Sequence, residues 1–344
     1  MPERDIVVIG ASAGGLAAFR TIVSALPAAL PAALCVVQHL PASGPSLLPE
    51  LLSAVSPLAA RQPGDGEAIR HGQIYVAPPD HHLVIQPGHL HLVRGPKENG
   101  FRPAIDATLR SAARAYGPRV IGVILTGMLD DGTAGLLAVK RHRGLAIVQE
   151  PREAAYPSMP ESARRYVEVD VVCPVGEIAD WLIRLIAAGA PSEEEIVMDE
   201  RTEIEAGISA LDRAALQRAD QLGTPSPFSC PDCGGVLAEY YDGELLRFRC
   251  QVGHAFSPAS FFAHQTDELD GSLWAAFRAL DERANLASRL AEEARRLNDS
   301  TGEQRFARLR AQAEQQKEQL RQTVLAGNGG EAPAPPRHRP DLAE

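Results

Sequence analysis

The chain has no uninterrupted apolar run approaching the roughly 20 residues that a membrane-spanning helix needs, and no basic-flanked apolar segment opens it. A cytoplasmic protein without membrane insertion is therefore expected. Basic residues are outnumbered, 34 Lys and Arg against 44 Asp and Glu, which disfavours nucleic acid as a partner. Cysteine is scarce, at five in 344 residues, and in a reducing compartment these thiols are expected to be buried or metal-bound rather than disulfide-paired. The length exceeds one average domain, so two units are the default expectation.

Two further absences concern the first strong motif. Ile6 to Ile9 are four consecutive β-branched apolar residues and read as a strand buried on both faces. The run ends at Gly10, and a helix-period pattern follows at Leu16, Phe19, Ile22, Val23 and Leu26, so the glycines make a tight turn at the carboxyl edge of a sheet. Open α/β folds place their ligands at that edge. A dinucleotide fingerprint lacks its second glycine, because Ser12 stands there, and it lacks an acid after the second strand, which ends in Gln38-His39. Gly10, Ser12 and Gly14 instead fit GxSxG, in which the glycines permit a sharp turn that raises a serine hydroxyl. An ordinary glycine-rich turn fits the same residues.

Strand-like and helix-like runs then alternate: Leu34–Gln38, a helix near Leu47–Val55, Ile74–Ala77, a helix over Ala104–Tyr116, Val120–Leu125, a helix over Thr133–His142, Leu145–Gln149, and Val169–Cys173 with a helix to Ala187. This order predicts a parallel, doubly wound sheet. His82 to Val93 breaks the pattern with two alternating runs around Pro87-Gly88, a small antiparallel hairpin. Cys35 and Cys173 fall inside apolar strands and are expected to be inert core residues.

A serine needs a base, and the base needs a group to hold it. His39 directly follows the second strand and shares the carboxyl edge with Ser12, whereas His71, His81, His82, His89 and His91 lie in or beside loops and the hairpin. An acid at such an edge comes at Asp130 or Asp131. Either aspartate closes a triad, or both cap the helix beginning near Gly132.

The segments GASAGG, VVQHLP, FRPAID and LTGMLDDG, in this order, resemble the catalytic domain of the CheB-type chemotaxis protein-glutamate methylesterases over roughly residues 1–187. The resemblance implies a serine hydrolase that removes methyl esters from chemoreceptor glutamates and often deamidates glutamines, with no cofactor for catalysis. It assigns Ser12 as nucleophile, His39 as base, Asp131 as orienting acid and the backbone of Met128 as oxyanion donor; the amide of Ala13 is a physical candidate for the second donor. The order Ser, His, Asp differs from that of the α/β-hydrolases. Leu129 replaces the small residue common in the family. No receiver domain precedes Asp5, so constitutive activity or control by a separate regulatory protein is expected.

Residues 1–187 hold 17 basic and 17 acidic side chains, so the whole acidic excess lies beyond Ala187. Residues 188–227, with Glu193-Glu194-Glu195, read as an acidic linker holding one short helix near Ile208–Leu222. In 228–258, Cys230-Pro-Asp-Cys233 and Cys250-Gln-Val-Gly-His254 flank a hairpin turning at Asp242-Gly243, the layout of a structural zinc ribbon. Iron is an alternative metal, and a redox CxxC is disfavoured because no helix opens after Cys233. Helical spacing of Leu269, Leu273, Phe277, Leu280, Ala284, Ala287, Ala291, Ala294 and Leu297, repeated after Asp299–Gly302, predicts a helical hairpin over 259–326. Its helices pack on each other or form a coiled-coil docking or dimer site. A disordered tail is expected at 327–344.

The fold class expected is α/β, a doubly wound, mostly parallel sheet with a small antiparallel hairpin, then a zinc ribbon and a helical hairpin. The expected partner is a methylated chemoreceptor or similar signalling protein. A catalytically silent docking protein and an esterase for a non-receptor ester are the alternatives.

Overall fold

Ile6–Ala11 forms β1, and all six residues are buried, because helices cover the sheet on both faces. Alternate side chains serve opposite cores. Val7, Ile9 and Ala11 pack with the helices α1 (Gly15–Ser24), α2 (Leu48–Ser53) and α6 (Val175–Ala187). Ile6 and Val8 pack with α3 (Ile105–Tyr116), α4 (Thr133–Arg141) and α5 (Ser158–Tyr166). This is the period-2 division that a doubly covered strand imposes.

The structure is a computed structural model and describes residues 4–191 and 199–327. Its main sheet contains β1, β2 (Ala33–Gln38), β3 (Ala59–Arg61), β5 (Gln73–Val76), β8 (Val120–Ile124), β9 (Leu145–Gln149) and β10 (Val171–Cys173), in the spatial order β10-β9-β8-β1-β2-β5-β3. Every pairing is parallel. The chain leaves β1 towards β2 on one side and reaches β8 on the other, so the carboxyl ends of β1 and β8 border a topological switch point. The predicted hairpin is present as β6 (His82–Gln86) and β7 (His89–Val93), and β4 (Glu67–Ala68) joins it in a separate antiparallel sheet. Helix α5, between β9 and β10, has little sequence signature: Pro157 precedes it, Pro160 lies in its first turn, and it buries only Met159, Pro160 and Ala163.

Beyond Ala187 the described residues are more ordered than an acidic linker suggests. Helices α7 (Glu200–Ser209) and α8 (Arg213–Gln217) bury Ile204, Ile208 and Ala215 against Tyr240. The acids there are not all solvated: Glu205 is buried, accepting from Tyr240 Oη at 2.5 Å and pairing with Arg249 at 2.9 Å. The run Glu193–Glu195 lies outside the described residues. A four-stranded antiparallel sheet follows, β11 (Thr224–Ser229), β12 (Val236–Asp242), β13 (Leu245–Cys250) and β14 (Ala255–Phe256), in that order. Its apolar side is small, with Leu237, Phe248, Phe256 and Phe261 beside Cys230 and Cys250.

The chain divides into two compact units, Met1–His264 and Gln265–Glu344. The second contains most of α9 (Pro258–Arg296) and all of α10 (Ser300–Gly327). Asp299 accepts from the Gly302 N–H at 2.9 Å at the start of α10, and Lys317 reaches Asp281 at 2.6 Å. Ala284, Ala287, Ala294 and Ala313 are buried, whereas Leu269, Leu286 and Leu297 remain exposed. The tail expected beyond Gly327 lies outside the described residues.

Candidate active site

Ser12 stands one residue past β1, and neighbouring strands fix its backbone. Leu125 N–H donates to Gly10 O at 2.9 Å, Ser12 N–H donates to Thr126 O at 3.0 Å, and the Gln38 amide donates to Ser12 O at 2.7 Å. The turn then needs φ = 79° at Gly14, which glycine adopts without a steric penalty. A Cβ on Gly127 would lie 2.9 Å from that of Ser12 and 2.0 Å from Met159 Sδ, so glycine lets the loop after β8 run close beside the serine.

His39 follows β2 and Asp131 follows β8, so the three side chains come from three adjacent strand ends. His39 Nδ1 lies 3.0 Å from Ser12 Oγ, and His39 Nε2 lies 2.7 Å from Asp131 Oδ2. With its proton on Nε2 and directed at the carboxylate, the ring leaves Nδ1 free to accept from the serine hydroxyl. Phe101 stacks on this imidazole with centroids 3.7 Å apart and planes 7° from parallel. Only 4% of the His39 side chain is exposed.

Asp131 is held as an anion. Its Oδ2 also accepts from Ile105 N–H at 2.7 Å, while Oδ1 accepts from Asp106 N–H at 3.2 Å, Gly132 N–H at 3.0 Å and Asn99 Nδ2 at 3.1 Å. Ile105 and Asp106 open α3, so the carboxylate sits at a helix N-terminus, where unpaired N–H groups and the helix dipole favour negative charge. Burial opposes this charge, but the His39 bond and the backbone donors outweigh it and hold the carboxyl well below the usual carboxylate range. The neighbouring Asp106 moves the other way. Burial, then the Asp131 charge, push it up.

The two adjacent aspartates diverge. Asp130 is neither solvated nor a helix cap: it is buried, accepts from Ser257 Oγ at 2.6 Å, and burial pushes its carboxyl up to about 6. The first residue flanking α4 is Gly132, with no side-chain cap. Asp130 is absent from the bonds to His39.

A cleft of ≈ 420 Å³ opens on this edge, lined by Ser12, Ala13, Gln38, His39, Leu40, Pro41 and Phe101. Among the described residues, the Ala13 and Met128 amides have no hydrogen-bond partner. Ala13 lines the cleft; Met128 does not, and its side chain is exposed. Leu129 adopts φ = 62°, a left-handed conformation that carries a steric cost for any residue with a Cβ and that glycine adopts freely. Burial pushes the Cys35 thiol up to about 12 and Cys173 up to about 11, which keeps both inert. Of the other histidines, His71 faces Asp5 at 3.0 Å, and the buried His82 bonds to Pro96 O at 2.8 Å.

Cys230, Cys233, Cys250 and His254 converge, their ligand atoms all within 4.8 Å of one another. Cys233 Sγ lies 3.7 Å from Cys250 Sγ, and His254 Nδ1 lies 3.7 Å from Cys230 Sγ and 3.6 Å from Cys250 Sγ. Tetrahedral zinc with Zn–S of about 2.3 Å and Zn–N of about 2.0 Å needs ligand separations of roughly 3.5–3.8 Å. These three separations match that range, and three thiols with one imidazole are a zinc donor set.

Asn99, Phe101 and Asp106 were not singled out individually from sequence, although FRPAID contains two of them. Asn99 gave no signal, because its role depends on a tertiary contact 32 residues away in the chain.

A parallel doubly wound sheet that raises a serine, a histidine and an aspartate on adjacent strand ends has the layout of a serine hydrolase. Residues 7–182, just over half of the chain, match the CheB methylesterase family, and the chain belongs to that family. It is 35% identical over 191 residues to "Protein-glutamate methylesterase/protein-glutamine glutaminase 2" of Methanosarcina mazei, covering 53% of this chain and 52% of the relative. It is 40% identical over 188 residues to "Protein-glutamate methylesterase/protein-glutamine glutaminase 1" of Paramagnetospirillum magneticum, covering 53% and 49%. The chain thus spans about half the length of these curated relatives. The crystal structure of the Thermotoga maritima CheB methylesterase catalytic domain superposes with a TM-score of 0.51 at 37% identity, covering 54% of this chain and 100% of that one.

Proposed function

We propose that the chain is a protein-glutamate methylesterase acting on methylated chemoreceptors, with Ser12, His39 and Asp131 as its catalytic triad. The observation that carries this reading is the continuous relay from Ser12 Oγ through His39 to Asp131 at the mouth of a cleft. Ser12 Oγ attacks the ester carbonyl carbon while His39 Nδ1 takes its proton, and Asp131 stabilises the imidazolium. The negative charge formed on the carbonyl oxygen is held by the amides of Ala13 and Met128. His39 then returns the proton to the leaving methoxide, and methanol departs. Water, deprotonated by His39, cleaves the glutamyl–serine ester and frees Ser12 and the glutamate carboxylate. A glutamine side chain releases ammonia by the same steps, consistent with the double name of the relatives.

Cys230, Cys233, Cys250 and His254 hold one structural zinc. Four protein ligands leave no open position, so the metal folds the ribbon and takes no part in the hydrolysis.

The test is incubation with methylated receptor fragments, reading methanol and residual methylation together. Wild type releases methanol. Ser12→Ala remains folded, because the side chain is small and at a turn, and releases none. Equal release by both would sink the serine mechanism, and no release by wild type would point to another ester.

A further inference from the structure

The residues that follow the ribbon's last ligand run directly into the support of the triad. Ala255, next to His254, donates its N–H to Lys97 O at 3.2 Å, and its carbonyl accepts from Asn99 N–H at 2.7 Å. Ser257 N–H and Ser260 Oγ both donate to Asn99 Oδ1, at 3.0 and 2.9 Å. His264 Nε2 lies 3.3 Å from Asn99 O. With its carboxamide oxygen fixed by the ribbon side, Asn99 must present its NH2 to the other side. There it donates to Asp131 Oδ1 and Asp106 Oδ2, both at 3.1 Å.

The same turn carries other contacts to the site. Glu98, one residue earlier, is buried against Arg110 and Ser209 and lies 3.9 Å from both Arg247 and Arg249 of β13. Phe101, two residues later, is the ring stacked on His39. Asn99 itself sits at φ = 52°, a left-handed conformation that asparagine tolerates better than most residues, and it is bonded on every side. Segment 98–101 is therefore clamped between the ribbon and the two groups that activate Ser12.

We propose that the metal-loaded ribbon is a brace for the active site, acting through Asn99 as a positioning residue, so that the reactivity of Ser12 depends on metal held by Cys230, Cys233, Cys250 and His254. The proposal rests on the serine-hydrolase reading above and adds a mode of control built into the chain. The physical basis is the short last strand. Tyr240 and the buried Arg247 and Arg249 anchor β12 and β13, but β14 pairs with β13 at two positions only, directly after His254, and the apolar cluster around it is small, so metal loss frays β14. Asn99 then loses its acceptor and donor partners together, and Asp131 and His39 gain freedom. A misplacement of about 1 Å in such a relay costs about 10²-fold in rate.

The experiment uses the full chain, metal-loaded and after chelation, with three readouts. These are Ser12 labelling by a fluorophosphonate probe, hydrolysis of p-nitrophenyl acetate, and the downfield imidazole N–H proton of the His39–Asp131 bond by NMR. Chelation is expected to lower labelling about 10- to 100-fold and to broaden or shift that proton, with zinc ions restoring both. Because chelation risks unfolding the chain, the metal-loaded Asn99→Ala variant is measured alongside. Its zinc content stays at the wild-type level, kcat for the acetate ester falls by a similar factor, KM is unchanged, and the His39 proton signal is altered. Wild-type labelling and an unmoved proton in folded metal-free protein, or wild-type kcat in Asn99→Ala, overturn the brace. If the metal-loaded wild type does not label at all, the serine reading fails, while the His39 proton still reports whether metal and Asn99 hold that bond.

Discussion

Asp131 accepts five hydrogen bonds and donates none, which makes the carboxylate irreplaceable in a specific way. Asparagine at this position directs an NH2 either at His39 and Ile105 N–H or at Asn99, Asp106 N–H and Gly132 N–H. Donors face donors in both orientations. Asp131→Asn is therefore expected to lose about 10⁴ in turnover, by analogy with the tautomer error in serine proteases, and also about 1–3 kcal/mol of stability. Methanol release and urea unfolding on the same preparation check both parts. Asp130 behaves oppositely. Its carboxyl keeps a proton in the folded chain up to about pH 6 and in the unfolded chain only to about pH 4. The native state binds more protons across that window, so stability falls as pH rises from about 4 to about 6 and levels off above. Asp130→Asn removes this contribution. It is expected to flatten the slope, to be more stable than wild type by on the order of 1–2 kcal/mol at neutral pH, and, because His39 bonds to Asp131 and not to Asp130, to leave turnover close to that of wild type. A residual slope is expected from Asp106, which burial also raises. Urea midpoints followed across pH decide it, and a steeper slope in the variant would refute the assignment.

At the scale of elements, the strands were legible because a parallel, doubly covered sheet demands uninterrupted apolar runs, which β1, β2, β8 and β9 have. β13 shows where the same logic fails. Its sequence Leu-Leu-Arg-Phe-Arg-Cys alternates as a strand should, and the arginine face reads as solvent-facing. Arg247 and Arg249 are nonetheless 1% exposed, because Glu98, Glu205 and Asp106 arrive from other elements. Period alone assigns the two faces and cannot say which is covered by a charged partner. The loop between β8 and α4 carries a testable strain at Leu129. Leu129→Gly relieves the left-handed penalty of about 1–2 kcal/mol and adds unfolded-chain entropy of about 0.5–1 kcal/mol, so thermal unfolding is expected to move little or slightly upward. Leu129→Val, β-branched at positive φ, is expected to cost more than about 1 kcal/mol. A marked loss of stability in the glycine variant would show that the leucine side chain, not the backbone, shapes the loop.

Across the whole first unit, a buried ionic cluster ties together three elements: Arg110 of α3, Glu205 and Ser209 of α7, and Arg247 and Arg249 of β13, gathered around Glu98. Burial opposes the Glu98 charge, yet the three guanidinium groups hold its carboxyl below the usual range. Such clusters are weak evidence of stability in themselves, but removing one member leaves uncompensated buried charge. Glu98→Gln is expected to cost about 3–5 kcal/mol in urea unfolding. A loss under about 1 kcal/mol would mean that water enters the cluster and screens it.

The sequence by itself determined the parallel sheet, the glycine-flanked serine turn, the strand-end positions of His39 and the two aspartates, and the spacing of the three cysteines and His254. Each of these is written in local pattern: apolar runs, glycine placement, strand-end position, or ligand spacing. Local pattern left Asp130 and Asp131 equivalent and the family motif alone favoured Asp131; the tertiary structure supplies the physical reason, since two adjacent side chains point apart and the donors that hold Asp131 come from the start of α3. The tertiary structure alone decided that Asn99 bonds on one side to Asp131 and on the other to Ser257 and Ser260, and that Glu205 and two arginines are interior. Long-range charge pairing decided these points, and it leaves no periodic mark on the chain because each partner is polar where it stands.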